Sequence, residues 1–384
     1  MKNNKVLMIV GNYFLPDNRV LRAANALKDL NFQVKIIAFH RNPLLSNEFI
    51  NEIEIIRFKK KNINFIPKQF SNYIYRLRFK SFVKKMLLKD KPKICYCHDV
   101  DTLFMGQFGK LKLDCKVIYD NHEYFQDLNY LHRYPILIRK KIACYERKML
   151  KNFVDNFIVV SEGIAKLYKP LYNKKIHIIR NIPDFSENTN DKINPDLLQF
   201  LQEQQTKNKK VLIYLGTNTQ KGRGFDFISK IFPHLSTQFS LLICGCTNSE
   251  EKSYLLSKFN NYNESVYVEF KQGFSQLKQI APYLFAGLSL IEPIYLSYIH
   301  SLPNKLFEYI HLRIPIIASE NPDQKALVEK YHLGICIPFE EDTAIKRIIS
   351  MKKEDYSLQI PVDLTWEKEK EKFKLLSCIE ESSY

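Results

Sequence analysis

No stretch of this 384-residue chain reaches about 18 uninterrupted apolar positions, so no membrane-spanning helix is expected. The opening run to Val10 is too short for a span and lacks a small-residue cleavage site, which predicts a first strand instead of a leader. Low-complexity tracts and internal repeats are absent. No Gly-x-Gly-x-x-Gly follows the first strand, which argues against a dinucleotide dehydrogenase. Among the eight cysteines, Cys95 with Cys97 and Cys244 with Cys246 lack the two-residue gap of a zinc knuckle. Buried free thiols in a reducing cytosol are expected. Acids are nearly missing from Arg57 to Lys93, where thirteen basic residues face Asp90 alone. Residues 1–185 carry 35 Lys and Arg against 16 Asp and Glu, whereas residues 186–384 carry 23 against 25. The net charge of +17 thus lies wholly in the first half, and a general lysine bias would have raised both halves alike. The charge suggests a nucleic-acid partner, but no recognised reader module accompanies it, so none is expected.

What is present is ample for two domains: 45% hydrophobic residues, with 27 Phe and 22 Tyr. Short β-type runs alternate with longer helical patterns. In the first half they fall at Lys5–Val10, Val34–Phe39, Ile53–Phe58, Ile94–Cys97, Lys116–Tyr119 and Phe157–Val160. In the second half they fall at Val211–Leu215, Ser240–Cys244, Val266–Phe270, Leu288–Ile291, Pro315–Ala318 and Gly334–Ile337. Several are continuously apolar, as strands covered on both faces are. The pattern predicts an α/β chain of two doubly wound, Rossmann-like domains, 1–183 and 184–365, with a charged helix from Trp366 to Cys378. Ligands of such sheets sit beyond the strands' carboxyl ends. Gly11, His98, Asp120 with His122, and Gly216 with Thr217 all stand there, so a cleft between the two domains is expected to hold the site.

Within this frame Ser301-Leu302-Pro303-Asn304-Lys305-Leu306-Phe307-Glu308-Tyr309 reads as a loop entering a helix. Proline suits the first helical position, and Ser301 or a neighbour suits the cap. Lys305 and Glu308 share one face. An anion-seeking helix start, one lysine and a carboxylate a turn later suit a nucleotide's diphosphate and ribose. An ordinary amphipathic helix with a surface Lys–Glu pair fits these nine residues equally well. Lys221 and Arg223 lie in a Gly-interrupted loop before a helix from Phe225 to Phe232, where they would neutralise a departing diphosphate. His98 is the candidate for the catalytic centre, with Asp99 or Asp101 to orient it; His122 and Glu123 come second. From Phe70 to Lys89 a helix is expected to bury Tyr75, Phe79, Phe82, Val83, Met86 and Leu87. Its cations Arg78, Lys80, Lys84, Lys85 and Lys89 flank that face, so residues 57–93 would meet an anionic membrane surface.

Segment 301–309, followed by Arg313-Ile314-Pro315-Ile316-Ile317-Ala318-Ser319, resembles the donor-binding segment of bacterial retaining glycosyltransferases of family four. Asp17-Asn18-Arg19-Val20-Leu21-Arg22 resembles that family's first helix. His98 to Leu103 and Tyr119-Asp120-Asn121-His122-Glu123 resemble its acceptor-side motifs, and Gly216 to Gly224 its phosphate loop. The segments run in the family's order over nearly the whole chain. The resemblance implies the two-domain GT-B fold, with a C-terminal helix returning to the first domain. It implies a metal-independent, retaining transfer without cofactor, from a UDP- or GDP-sugar to a hydroxyl of a glycan. The basic first domain, for its part, suggests a lipid-linked glycan of a surface polysaccharide as acceptor, handled in the cytoplasm at the inner membrane face. The resemblance places His98, Asp120 and His122 at the catalytic centre and Gly11, Asp17, Arg19, Asp99, Asp101 and Glu123 on the acceptor side. Gly216, Lys221, Arg223, Pro303, Asn304, Lys305 and Glu308 would bind the donor, Glu308 holding the ribose. Two departures stand out: Thr217 where relatives often carry arginine, and His300 where many carry a second glutamate. A nucleotide-sugar epimerase of the same fold is the rival enzyme.

Overall fold

The computed structural model describes residues 4–14, 17–59, 68–185, 192–216, 221–376 and 379. The chain divides into two compact units, residues 1–180 with 367–384, and residues 181–366. Each is built on one sheet.

The first unit's strands are β1 (Lys5–Ile9), β2 (Gln33–Phe39), β3 (Asn47–Ile50), β4 (Ile53–Phe58), β5 (Ile94–His98), β6 (Lys116–Asp120), β7 (Asn156–Val159) and β8 (Ile176–Ile178). Their order is β3-β4-β2-β1-β5-β6-β7-β8. All neighbours are parallel except β3 and β4. The second unit's strands are β9 (Lys210–Leu215), β10 (Phe239–Cys246), β11 (Val266–Phe270), β12 (Leu284–Ser289), β13 (Ile316–Ser319) and β14 (Gly334–Ile337). They form an all-parallel sheet in the order β11-β10-β9-β12-β13-β14. Helices cover both faces. In β9, Leu212 and Tyr214 enter one apolar core while Val211, Ile213 and Leu215 enter the other, so the strand is apolar without alternation.

Both sheets reverse their order beside the first strand of the unit, at β1/β5 and at β9/β12. These are the switch points where the loops beyond neighbouring strands diverge and leave a crevice. Gly11 and His98 stand at the first, Gly216 and the loop after β12 at the second.

Four elements depart from the sequence reading. Edge strand β3 has half its residues exposed and no apolar run to betray it, and β8 is three residues long. The strand expected at Leu288–Ile291 is β12, four residues earlier; Leu290 and Ile291 are as buried as the strand itself, so apolarity marks no end. The helix expected from Trp366 to Cys378 is α-helical to Glu371 and continues as a 3₁₀ turn over Lys372–Leu375; residues 377 and 378 lie outside the described residues. Buried Glu369 on that segment accepts hydrogen bonds from Arg180 N (2.8 Å), Arg180 Nη1 (3.1 Å) and Lys372 Nζ (2.7 Å). No helix among the described residues is long and apolar enough to cross a membrane. The seven cysteines described are free, five of them buried.

Tyr309 fixes the second sheet beneath its switch point. Its ring lies against Gly287 of β12, and its hydroxyl accepts from Leu215 N (2.9 Å) and reaches Leu288 O (3.2 Å). A Cβ at Gly287 would run into that ring. Gly287→Ala is therefore expected to lower unfolding free energy by about 1–3 kcal/mol. Urea melts check this, and an unchanged midpoint would contradict the packing.

Candidate functional site

The first unit places its polar residues where β1, β5 and β6 end. Asp17 caps the helix Asn18–Asp29 by accepting from Val20 N and also accepts from Asn12 Nδ2 (3.1 Å). Arg19, in the first turn, forms a buried ion pair with Asp120, the last residue of β6. Tyr96 donates to the other oxygen of Asp120 (2.9 Å), and Arg19 Nη1 donates to Ile179 O (3.3 Å). Burial alone would raise the Asp120 carboxyl, but Arg19 and the two nearby histidines hold it down to about 2.

His98 lies beside that carboxylate, its Nδ1 3.7 Å from Asp120 Oδ2 and 3.4 Å from His122 Nε2. Its ring packs on Tyr96 at 4.8 Å between centroids. Burial lowers His98 to about 3 against the pull of Asp120, and burial with the Arg19 charge lowers His122 to about 4. Both imidazoles are therefore neutral near pH 7, able to donate at one nitrogen and accept at the other. His98 Nε2 is buried without a hydrogen-bond partner. Arg19 Nε and Asn121 Oδ1 nearby also lack one, but His98 Nε2 is the imidazole nitrogen that can serve a substrate hydroxyl.

The structure corrects the orienting carboxylate. Asp120 faces His98. Asp99 serves His122, accepting from its backbone N at 3.3 Å and lying 3.6 Å from its Nδ1. Asp99 takes φ 58°, an uncommon angle for a residue with a side chain. Asp101 packs its carboxylate over Gly11, where any Cβ would collide with it. Glu123 is exposed on the turn after His122. His98, Asp120 and His122 offer ligand-type atoms within 4.8 Å of one another, a spacing suited to an ion. Arg19 and Tyr96 already answer the carboxylate's charge.

Two anchors escaped the sequence reading. Glu146, buried on the helix Ile136–Phe153, accepts from Tyr119 Oη (2.8 Å), Tyr168 Oη (2.7 Å) and Gln126 Nε2 (3.1 Å). Tyr168 in turn accepts from Asn121 Nδ2 (2.9 Å), so this network holds the turn bearing His122. Arg57, counted in the basic surplus, is buried and donates to the carbonyls of Tyr13, Phe14 and Leu45. It braces the loop after β1 and is not available to a membrane. No periodicity marks a buried polar residue whose partners are distant in sequence.

The second unit's site is built differently. Gly216 directly follows β9 at φ 122°, and a Cβ there would meet no described residue within 4 Å. Thr217 lies outside the described residues. Lys221 is exposed. Gly222 packs against Tyr298 and Ile294, and its carbonyl accepts from Glu292 N (2.9 Å). Next to it, the Arg223 guanidinium stacks on Tyr298 at 4.8 Å, and its buried Nε has no partner. Lys305 Nζ sits 3.9 Å over the Tyr214 ring, and Tyr214 Oη donates to Arg223 O (3.1 Å). Burial and Arg223 push Lys305 down to about 7, against the pull of Glu308. Burial raises Glu308, opposed by Lys271 and Lys305. Lys271 directly follows β11, so the strand-end rule that singled out His98 would have found it.

The start of the helix Asn304–His311 also differs from expectation. Pro303 occupies the cap position and Asn304 the first turn; no side chain caps the start. Ser301 Oγ donates instead to Tyr298 O (2.8 Å), because a tight turn at Tyr298 brings that carbonyl to it. The approaching loop is pinned by Asn321, which donates to Ile291 O (3.0 Å) and Tyr298 O (3.1 Å). His300, in the place of the relatives' glutamate, meets Asp323 at 2.7 Å. Arg223, Lys305 and Glu308 thus flank an uncapped helix start, which suits an anion followed by a diol.

The family model Glycosyltransferase Family 4 matches residues 17–187. No curated protein matches the chain. Among solved structures, the chain is similar to sucrose-phosphate synthase from Thermosynechococcus elongatus, with TM-score 0.71 and 13% identity, covering 99% of this chain and 97% of that one. It is similar to Anabaena HepE in complex with UDP-glucose, with TM-score 0.66 and 12% identity over 99% and 98% of the two chains. A Listeria monocytogenes protein described as a UDP-N-acetylglucosamine 2-epimerase gives TM-score 0.60 and 10% identity over 99% and 97%.

Arg19→Leu strands a buried carboxylate and is expected to cost about 3–5 kcal/mol. Adding Asp120→Asn removes that charge and should recover part of the loss. Equal melts for wild type and Arg19→Leu would contradict the pairing.

Proposed function

We propose that this chain, which has the GT-B fold and matches Glycosyltransferase Family 4 over its first half, transfers a sugar from a nucleoside-diphosphate sugar to a glycan hydroxyl. The observation that carries this reading is the cationic, uncapped helix start at Lys305, with Arg223 unpaired beside it and Glu308 one turn on. The bond from the anomeric carbon to the diphosphate breaks, and negative charge grows on the leaving oxygens. Arg223, Lys305 and the free N–H groups of the helix start are placed to take up that charge. Glu308 faces the pull of Lys271 and Lys305 against its burial and is placed to hydrogen-bond the ribose diol.

The acceptor oxygen forms the new bond on the face the leaving group vacates, so configuration is retained. Its proton passes to the departing phosphate. Neutral His98 orients a hydroxyl through Nε2 without adding charge. Asp120, which accepts from Arg19 and Tyr96, is a positioning group for His98. No metal is assigned to this transfer. The acceptor in this reading is a lipid-linked glycan of a surface polysaccharide, handled in the cytoplasm. UDP is the first donor nucleotide to test, since HepE was solved with UDP-glucose. An epimerase has the same needs at the diphosphate, and the Listeria neighbour keeps that reading open.

Thermal melts with UDP, GDP, ADP and CMP test the donor site. One nucleotide is expected to raise the melting point, by about 2.7 kcal/mol of stabilisation at a hundredfold excess over Kd. Glu308→Ala should abolish the shift, and EDTA should leave it unchanged. No shift with any nucleotide overturns the reading.

Lys305 adds a pH signature. Its free-site value is about 7, and a bound diphosphate raises it, so binding takes up a proton above pH 7. Affinity should therefore weaken as pH rises from about 7 to 9, approaching tenfold per unit. Lys305→Met should bind more weakly, with a flat profile. A wild-type profile as flat as the variant's would remove Lys305 from the site.

A further inference from the structure

We propose that the turn and helix start at residues 133–141 dock the first unit on an anionic lipid bilayer. This deepens the lipid-linked reading above by naming the surface that meets the membrane. Four large apolar side chains stand together in solvent there: Tyr134 is 51% exposed, Ile136 56%, Leu137 69% and Ile138 42%. They are held out by an ordered backbone. A 3₁₀ turn over Asn129–Arg133 leads in, Tyr134 N donates to Leu131 O (2.9 Å), and Ile138 N donates to Pro135 O (2.9 Å). Buried Leu131 anchors one side of the tip, and buried Glu146, Met149 and Leu150 anchor the helix behind it.

The surrounding charge points to the partner. From residue 128 to residue 145 there is no acid, and Arg133, Lys140 and Lys141 stand exposed around the tip, while Arg139 Nη2 lies 3.8 Å from Asp127. Pro135 occupies the cap position, and no side chain caps the helix start. An apolar wedge ringed by cations matches the boundary between acyl chains and anionic headgroups. A protein partner fits less well. Four side chains cover far less than the roughly 800 Å² per partner of a stable interface, and within 134–138 the Tyr134 hydroxyl is the one polar side-chain group.

The basic helix expected to face lipid gives up part of its charge inside the unit. The Lys80 and Lys84 ammonium groups lie over the Phe104 ring at 4.9 Å, and Lys84 also faces Phe108 at 5.1 Å. Phe79, Val83 and Leu87 are buried as expected, which uses that helix's apolar face as core. The tip at 134–138 has no such second use.

Co-sedimentation with vesicles tests the proposal, using phosphatidylcholine alone and with phosphatidylglycerol added. Wild type is expected to bind the anionic vesicles and to lose binding as salt rises. Leu137→Asp should weaken partitioning at least about tenfold, since it removes apolar burial and adds an acid. Lys140→Gln with Lys141→Gln should weaken it about 25-fold, at roughly fivefold per cation. Nucleotide-induced thermal shifts in the same variants show that they fold, and they report the donor site separately. Failure of wild type to bind anionic vesicles overturns the proposal, as does Leu137→Asp binding like wild type. A wild-type dimer in solution that Leu137→Asp makes monomeric also overturns it, in favour of a second copy as the occupant.

Discussion

The buried ion pair between Arg19 and Asp120 is the interaction on which the first unit's polar edge depends. It joins the first helix to the end of β6, and Arg19 reaches on to the carbonyl of Ile179 just past β8. A buried pair of this kind adds little net stability, because desolvating two charges offsets most of their attraction. What it fixes is arrangement. With Asp120 held ionised by Arg19, two histidines fit beside it as neutral rings. Without Arg19 the carboxylate would have to draw a proton or a histidinium, and the chemistry available at His98 would change.

The second unit inverts this logic. Among the described residues, Lys305 and Arg223 form no ion pair with a carboxylate: Lys305 rests on an aromatic face, and Arg223 stacks on Tyr298 with Nε unsatisfied. Burying cations in that state costs free energy, visible in the lowered Lys305. A bound anion returns that cost. One edge is therefore already neutralised and suited to polar, uncharged hydroxyls, while the other awaits negative charge. That division matches a reaction in which a diphosphate leaves and a hydroxyl attacks.

Much of this was legible in the sequence where chemistry and strand ends coincide. The strands buried on both faces read as apolar runs, so the α/β class and two parallel sheets followed, and the GT-B fold bears this out. His98, Asp120 and Gly216 stand at strand ends, a position that sequence alone reveals. Pairings between distant residues were not legible. Asp120 as the partner of His98, Glu146 under the His122 turn, and Arg57 as a loop brace all depend on side chains brought together by the fold. Ser301 failed as a cap because a nearby carbonyl competes for its hydroxyl. The exposed tip at 134–138 was not legible either, because an apolar run alone does not show whether the fold leaves it outside.

Transfer of labelled sugar tests the central claim most directly. Purified protein is incubated with radiolabelled UDP- and GDP-sugars and a membrane extract, beside His98→Ala and Glu308→Ala. The account predicts label in the lipid fraction from one nucleotide class, with retained anomeric configuration, and loss of transfer in both variants. Free nucleotide with an epimerised or unattached sugar, or transfer that survives both substitutions, would contradict it.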